Sequence, residues 1–161
     1  KNLHSKWRNV LKVSERQGLE LQIDSDLESF EWLANQCNEM MRSRGVADVP
    51  ISLYKSLQKN IKIDNQQLLT FRAIKDGRVT AGVCIAQHGS AATYLLGWNG
   101  EEGRSLKANQ FLLWNVILHL KNEKFKWFDL GGIDSDGTPG IADFKLGING
   151  QRYSLIGEYW K

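Results

Sequence analysis

The sequence predicts a single α/β domain, a mixed sheet with helices on both faces, and three observations predict it. Helical and strand patterns alternate along the 161 residues instead of segregating into blocks. Two turn signals, Asp76-Gly77 and His88-Gly89-Ser90, divide residues 68–98 into three strand-like runs, a meander that must be antiparallel. A nearly all-apolar run, Phe111–Leu120, then leads into a further strand pattern at Trp127–Leu130. Strand, helix and strand in that order make a right-handed parallel crossover, which opens a cleft at the strands' carboxyl ends.

Each element has its own justification. Residues 3–17 place Leu3, Trp7, Val10 and Leu11 at helical spacing, with Lys6, Arg8, Lys12 and Arg16 on the other side, and Gly18 as terminator. Leu19–Ile23 alternates apolar and polar, the mark of a half-buried strand. Asp24-Ser25-Asp26 opens a helix whose apolar stripe is Phe30, Leu33, Ala34, Cys37 and Met41, and Gly45 ends it. Pro50 starts a second helix, through Leu57. Leu68–Lys75, Val79–Gln87 and Ala92–Trp98 are the meander strands. The stretch NGEEGRSLKAN, 99–109, reads as a charged, Gly-containing loop, and Phe111–Leu120 as a buried helix running on to Glu123. Trp127–Leu130 reads as a short buried strand, Ile141–Leu146 as one or two helical turns, and Tyr153–Tyr159 as a last strand.

Composition narrows the class. With 42% hydrophobic and 24% charged residues the chain can bury a core without covalent staples. Cys37 and Cys84 fall in a helix and a strand pattern, with no C-x-x-C spacing. They read as two buried thiols, which fits a reducing, cytoplasmic setting. No signal-peptide pattern opens the sequence and no apolar run approaches a membrane span. Lys1 is not a natural start, so the expectation is a single domain over 1–161 cut from a longer, two-domain polypeptide. The net charge of +3 comes from interleaved acids and bases. That is either a mixed solvated surface or a concave basic face for a phosphate-bearing substrate or RNA.

Most familiar constellations are excluded. DSDGTPGIADFK, 134–145, begins like a calcium loop, but Pro139 stands where the turn needs Gly and Lys145 where a bidentate Glu is needed. There is no P-loop or G-x-G-x-x-G, and His4, His88 and His119 lack metal-site spacing, so no metal is expected. The tryptophans do not alternate with basic residues as a base-stacking platform would. The chemistry concentrates in Trp127–Gly147. Asp129 ends a strand and Gly131-Gly132 follow, where glycines permit close backbone approach and leave amides free to donate. A short helix begins near Gly140, and Lys145, flanked by Phe144, sits on it.

The segments KWRNVLKVSERQGLEL, MMRSRG, NQFLLWNVILHLKNEKFKWFDLGGI and DFKLGINGQ occur in this order. The sequence thereby resembles the FemABX family and its relatives in the GNAT acyltransferase superfamily, from about Leu3 to Tyr159 and most specifically over Trp127–Gly150. The resemblance implies a GNAT-like fold and transfer of an acyl group to an amine. In bridge-forming members of the family the donor is aminoacyl-tRNA and the acceptor a peptidoglycan-precursor peptide. There the Phe-Lys pair matching Phe144-Lys145 supplies an active-site cation. The sequence departs from the pattern in three ways. The Gln/Arg-x-x-Gly-x-Gly/Ala element that binds the coenzyme A pyrophosphate in typical GNAT enzymes is missing from NGEEGRSLKAN. A single domain stands where bridge-forming enzymes have two, and their coiled-coil arm has no counterpart.

The implied assignments follow. Lys145 is expected to stabilise charge or bind phosphate, and Asp129 either to orient the amine or to cap the turn that follows it. Amides near Gly131 and Gly132 serve a developing oxyanion. Phe144 is expected to line the cleft; Tyr94 and Tyr153 either line it, donate to the leaving group or belong to the core; Arg44, with Arg42 near it, either binds phosphate or carboxylate or forms a solvated helix end. The donor is aminoacyl-tRNA or acyl-CoA. The acceptor is an amine, in a peptidoglycan or other cell-envelope precursor reached near the inner membrane face by peripheral contact. Partners are tRNA or a sister GNAT-like domain, and not DNA. Two other readings stay open: a CoA-dependent N-acetyltransferase of a small metabolite or polysaccharide precursor, and a non-catalytic binding half of a two-domain protein.

Overall fold

The computed structural model describes residues 3–43, 45, 47–60, 67–154 and 156–157. The elements in chain order are α1 (Ser5–Ser14), β1 (Glu20–Asp24), α2 (Leu27–Arg42), α3 (Ile51–Asn60), β2 (Gln67–Lys75), β3 (Arg78–His88) and β4 (Ala91–Asn99). They continue with α4 (Glu101–Leu106), α5 (Ala108–Asn122), β5 (Trp127–Asp129) and α6 (Pro139–Leu146). The five strands form one mixed sheet in the order β1-β2-β3-β4-β5, antiparallel except for the parallel β4–β5 pair. This is the α/β arrangement of alternating patterns that the sequence predicts.

Alternation along the strands sends side chains to two cores. On one face Phe71, Ala73, Val83 and Ile85 meet Ala108, Leu112, Val116 and Leu120 of α5. On the other, Leu68, Cys84 and Leu96 meet Phe30, Leu33, Ala34 and Cys37 of α2. α1 lies outside α5, where Trp7 and Leu11 bury Leu113. The helix α5 is apolar almost all round because it is packed between the sheet and α1. The β2–β3 turn puts Asp76 and Gly77 at φ of 49° and 76°, the paired positive values that a two-residue hairpin requires.

Four expectations need correction. Residues 101–106 of the expected loop are helical. Gly100 opens α4, and Gly103 lets it seat on β3, since a Cβ there would fall 2.3 Å from the Thr80 carbonyl oxygen. β1 is not half-buried: as an edge strand it leaves Leu21 and Ile23 37% and 39% exposed. β5 is not buried along its length, and Trp127 is 69% exposed on the sheet's other edge. The expected last strand is not formed at Tyr153, Ser154, Ile156 or Gly157, and the rest of Tyr153–Tyr159 lies outside the described residues.

One irregularity shapes the site. β4 pairs with β5 only from Ala91 to Thr93, opposite Trp127 to Asp129. Just beyond, the β3–β4 register shifts, Cys84 facing Leu96 and Ile85 facing Tyr94, so that Leu95 is an extra residue in β4. Such a bulge bends and twists its strand. β4 leaves β5 at this point, and the chain after Asp129 turns into the opening.

Candidate active site

The opening holds a cavity of about 700 Å³ lined by the strand end Phe128–Ile133, by Lys145 and Leu146 of α6, and by Gly150–Ser154. Asp129 stands at its base, half-buried at the last position of β5. Its Oδ1 accepts from the Gly131 amide at 2.8 Å and its Oδ2 from the Tyr153 hydroxyl at 2.7 Å. Gly131 takes φ of +72°, where a side chain would be strained, and this brings its amide back onto the carboxylate. That amide is thus already engaged and does not point freely into the cavity.

Lys145 reaches in from α6. Its Nζ donates to the Gly132 carbonyl at 2.8 Å and lies 5.8 Å from the centre of the Tyr94 ring. Partial burial lowers its pKa below the usual lysine value, and the Asp129 carboxylate acts in the opposite direction. The carboxylate and ammonium therefore face one space without forming a direct ion pair among the described contacts. Tyr94 is half-buried, and its ring lies over Gly97, whose Cβ would come within 1.8 Å of the hydroxyl oxygen. Burial raises the pKa of that phenol, so it stays protonated. Tyr153 is 68% exposed, and its bond to Asp129 raises its own pKa.

The structure thus brings Asp129, Gly131, Gly132, Lys145 and Tyr153 around one cavity, with Tyr94 behind Lys145. Phe144 is placed elsewhere: it lines a second hollow of about 260 Å³ with Asn99, Arg104, Lys107, Asn109, Gln110 and neighbours on α6. Arg44 lies outside the described residues. Arg42 is paired with Asp48, Nε lying 3.0 Å from both carboxylate oxygens, on the surface. Asp134 binds the amides of Asp136 and Gly137, which closes the Gly-rich turn on itself.

The second hollow is hidden in the sequence because the charged, Gly-containing stretch that carries Arg104 and Lys107 has the composition of a loop. The available signal was Gly100 followed by the acids Glu101 and Glu102, a helix-start pattern. Lys107, at φ of 60°, joins α4 to α5, and Asn109 and Gln110 at the start of α5 line the hollow. Among the described residues, the buried oxygens Asn99 Oδ1 and Asn109 Oδ1 on this hollow have no hydrogen-bond partner.

The site thus sets a carboxylate and a half-buried lysine beside a diverging strand pair. The family model of the acetyltransferase (GNAT) domain matches residues 1–146, and the chain belongs to that family. It is accordingly an acyltransferase of GNAT type. Among solved structures it is similar to FemX, at 13% identity and TM-score 0.65, covering 83% of this chain and 49% of that one. It is similar also to an aminoglycoside acetyltransferase from an uncultured soil metagenomic sample in complex with sisomicin. There the identity is 11% and the TM-score 0.62, covering 89% of this chain and 95% of that one. A third is a predicted acetyltransferase from Clostridium acetobutylicum with acetyl-CoA, at 13% identity and TM-score 0.60, covering 89% and 96%. At these identities the likeness is one of fold. No curated protein matches the sequence. No helix among the described residues is long and apolar enough to cross a membrane.

Proposed function

We propose that this domain transfers an acyl group from acyl-CoA to the amine of an acceptor held in the larger cavity. The observation that carries the reading is the convergence of Asp129 and Lys145 where β4 leaves β5. Asp129 holds the amine and takes up its proton as the nitrogen attacks the thioester carbonyl carbon. Lys145, donating to Gly132 in the resting site, turns its ammonium to the oxyanion that develops as the C–N bond forms. The C–S bond then breaks, the carbonyl reforms as an amide, and the thiolate leaves and is protonated. Arg104, Lys107 and the first amides of α5 suit the phosphates of the donor, the two cations supplying charge and the amides hydrogen bonds. The resemblance to FemABX proteins and the similarity to an aminoglycoside acetyltransferase both support an amine acceptor. The first of these supports a peptidoglycan or other cell-envelope precursor.

A second reading has aminoacyl-tRNA as donor. It is favoured by α4, which stands where typical GNAT enzymes carry a glycine-rich phosphate loop, and by the fold likeness to FemX. Calorimetry separates the two. A binding isotherm with acetyl-CoA supports the first, and tRNA binding that falls steeply with salt supports the second.

The test of the site is Lys145→Ala, with thiol release from acetyl-CoA followed against a panel of primary amines. Loss of a stabilising charge of this kind lowers turnover about a hundredfold. Full turnover by the variant overturns the assignment. Because burial lowers the Lys145 pKa, its charge disappears at a lower pH than that of an exposed lysine. Turnover should therefore fall on the alkaline side earlier than free-lysine titration predicts, and the alkaline limb should vanish in Lys145→Ala.

A further inference from the structure

The last turn of α6 is secured from an unexpected direction. A helix ends with carbonyls that have no intrahelical partner. Three at the end of α6 are satisfied locally: Asp143 O by the Gly147 amide at 3.0 Å, Lys145 O by Ile148 at 3.3 Å and Leu146 O by Asn149 at 2.9 Å. The remaining one, Phe144 O, accepts from the indole Nε1 of Trp7 at 3.0 Å, a contact spanning 137 positions of chain. Trp7 is 5% exposed, and a buried indole N–H needs an acceptor. A second tie runs beside it, from the His4 amide to the Gly147 carbonyl at 3.0 Å. Gly147 leaves room for the ring, since a Cβ there would fall 2.4 Å from Trp7 Cδ1. The Trp7 and Phe144 rings also lie 6.3 Å apart, tilted by 34°.

We infer that Trp7 is a positioning residue for Lys145, its indole N–H fixing the turn of α6 from which the lysine reaches the cavity. The inference rests on the proposed role of Lys145. Trp7 does not line the cavity, so it acts through the backbone of the residue next to Lys145. Its effect is on where the ammonium sits. Released from Trp7, the last turn of α6 shifts or frays, and Nζ leaves the half-buried spot against Gly132 and Tyr94. A displacement of about 1 Å is enough to cost up to a hundredfold in rate when the group acts by position.

The test uses the full chain with its lysines ¹³C-dimethylated and the Lys145 resonance assigned through Lys145→Arg. In the unsubstituted protein Lys145 should titrate below the surface lysines. Trp7→Phe keeps an aromatic ring but removes the donor, and should move the Lys145 midpoint up toward the others. Leu11→Val, which trims the same buried cluster away from the α6 backbone, should lower the melting temperature and leave the midpoint in place. Gly147→Ala, which drives the ring off from the other side, should reproduce the shift and covers the case in which Trp7→Phe does not fold. In turnover assays Trp7→Phe should lower kcat about tenfold with KM for acetyl-CoA unchanged. An unmoved Lys145 midpoint in a folded Trp7→Phe or Gly147→Ala protein overturns the proposal. Failure of the underlying reading shows differently, as full turnover by Lys145→Ala, whatever the midpoints do.

Discussion

Both oxygens of Asp129 are occupied, and they are not equally hard to free. Oδ1 is bound by a backbone amide two residues on, fixed by the positive φ of Gly131. Oδ2 is bound by the hydroxyl of Tyr153, a side chain that is 68% exposed and can exchange its bond for water. On the proposed role of Asp129, an incoming amine would therefore displace the Tyr153 hydroxyl more easily than the amide. A neutral hydrogen bond of this kind is worth about 0.5–1.5 kcal/mol, or roughly a factor of two to ten. Tyr153→Phe should accordingly lower KM for the acceptor by about threefold, with Tm little changed, as initial-rate kinetics would show. A rise in KM would instead mean that the hydroxyl itself contacts the acceptor. Because Asp129 raises the Tyr153 pKa, the effect should persist across neutral and mildly alkaline pH.

Among the elements, α2 shows how a short signal supports a large contribution. Asp26 caps it, accepting from the Ser29 amide at 2.7 Å and the Ser29 hydroxyl at 3.0 Å. The cap lowers the Asp26 pKa, chiefly through the Ser29 amide. With the folded value below the unfolded one, the contribution is present at neutral pH and fades as pH falls through the folded value. Asp26→Ala should cost about 1 kcal/mol at neutral pH, read by thermal unfolding as a drop of about 2–4 °C, and less in acid. This helix start was legible because its signal is local, and so was the hairpin at Asp76-Gly77. The helix α4 had only the weak start signal of Gly100 and two acids. Its six residues have little propensity to fold alone, and its place depends on Gly103 meeting Thr80 across the fold. The misjudged burial of β1 and β5 has one cause. Apolar alternation says that a strand has a core face, but not whether the strand lies at an edge where that face stays uncovered.

At the scale of the whole molecule, the two cysteines report on the core beneath α2. Burial raises the thiol pKa of Cys37 to about 11 and of Cys84 to about 12, from the ordinary 9.0. Both thiols should resist a thiol reagent in the native protein and react on unfolding. The folded values exceed the unfolded one, so the folded state binds more protons above pH 9. Stability should then decline as pH rises from about 9 toward 11–12, visible as a falling denaturant midpoint, and the decline should shrink in Cys37→Ala/Cys84→Ala. The grouping of residues around the candidate site was legible in the same uneven way as the fold. Asp129, Gly131, Gly132, Lys145 and Tyr153 lie within one stretch of chain and follow a strand end, so sequence alone could group them. The tie from Trp7 to Phe144 crosses almost the whole chain, and no local pattern announces it.

The strand order β1-β2-β3-β4-β5 repeats the order of the strands in the chain. Among the described residues no strand must be inserted between two that are already joined. During synthesis from the amino terminus each new strand finds its partner waiting at a free edge, so the sheet can grow as the polypeptide emerges. The exposed strand β4 waits for α5 and β5 to close it, and the first turn of α1 waits for α6. The turn of α6 that carries Lys145 is therefore secured late, when Trp7 meets a carbonyl 137 positions further along the chain.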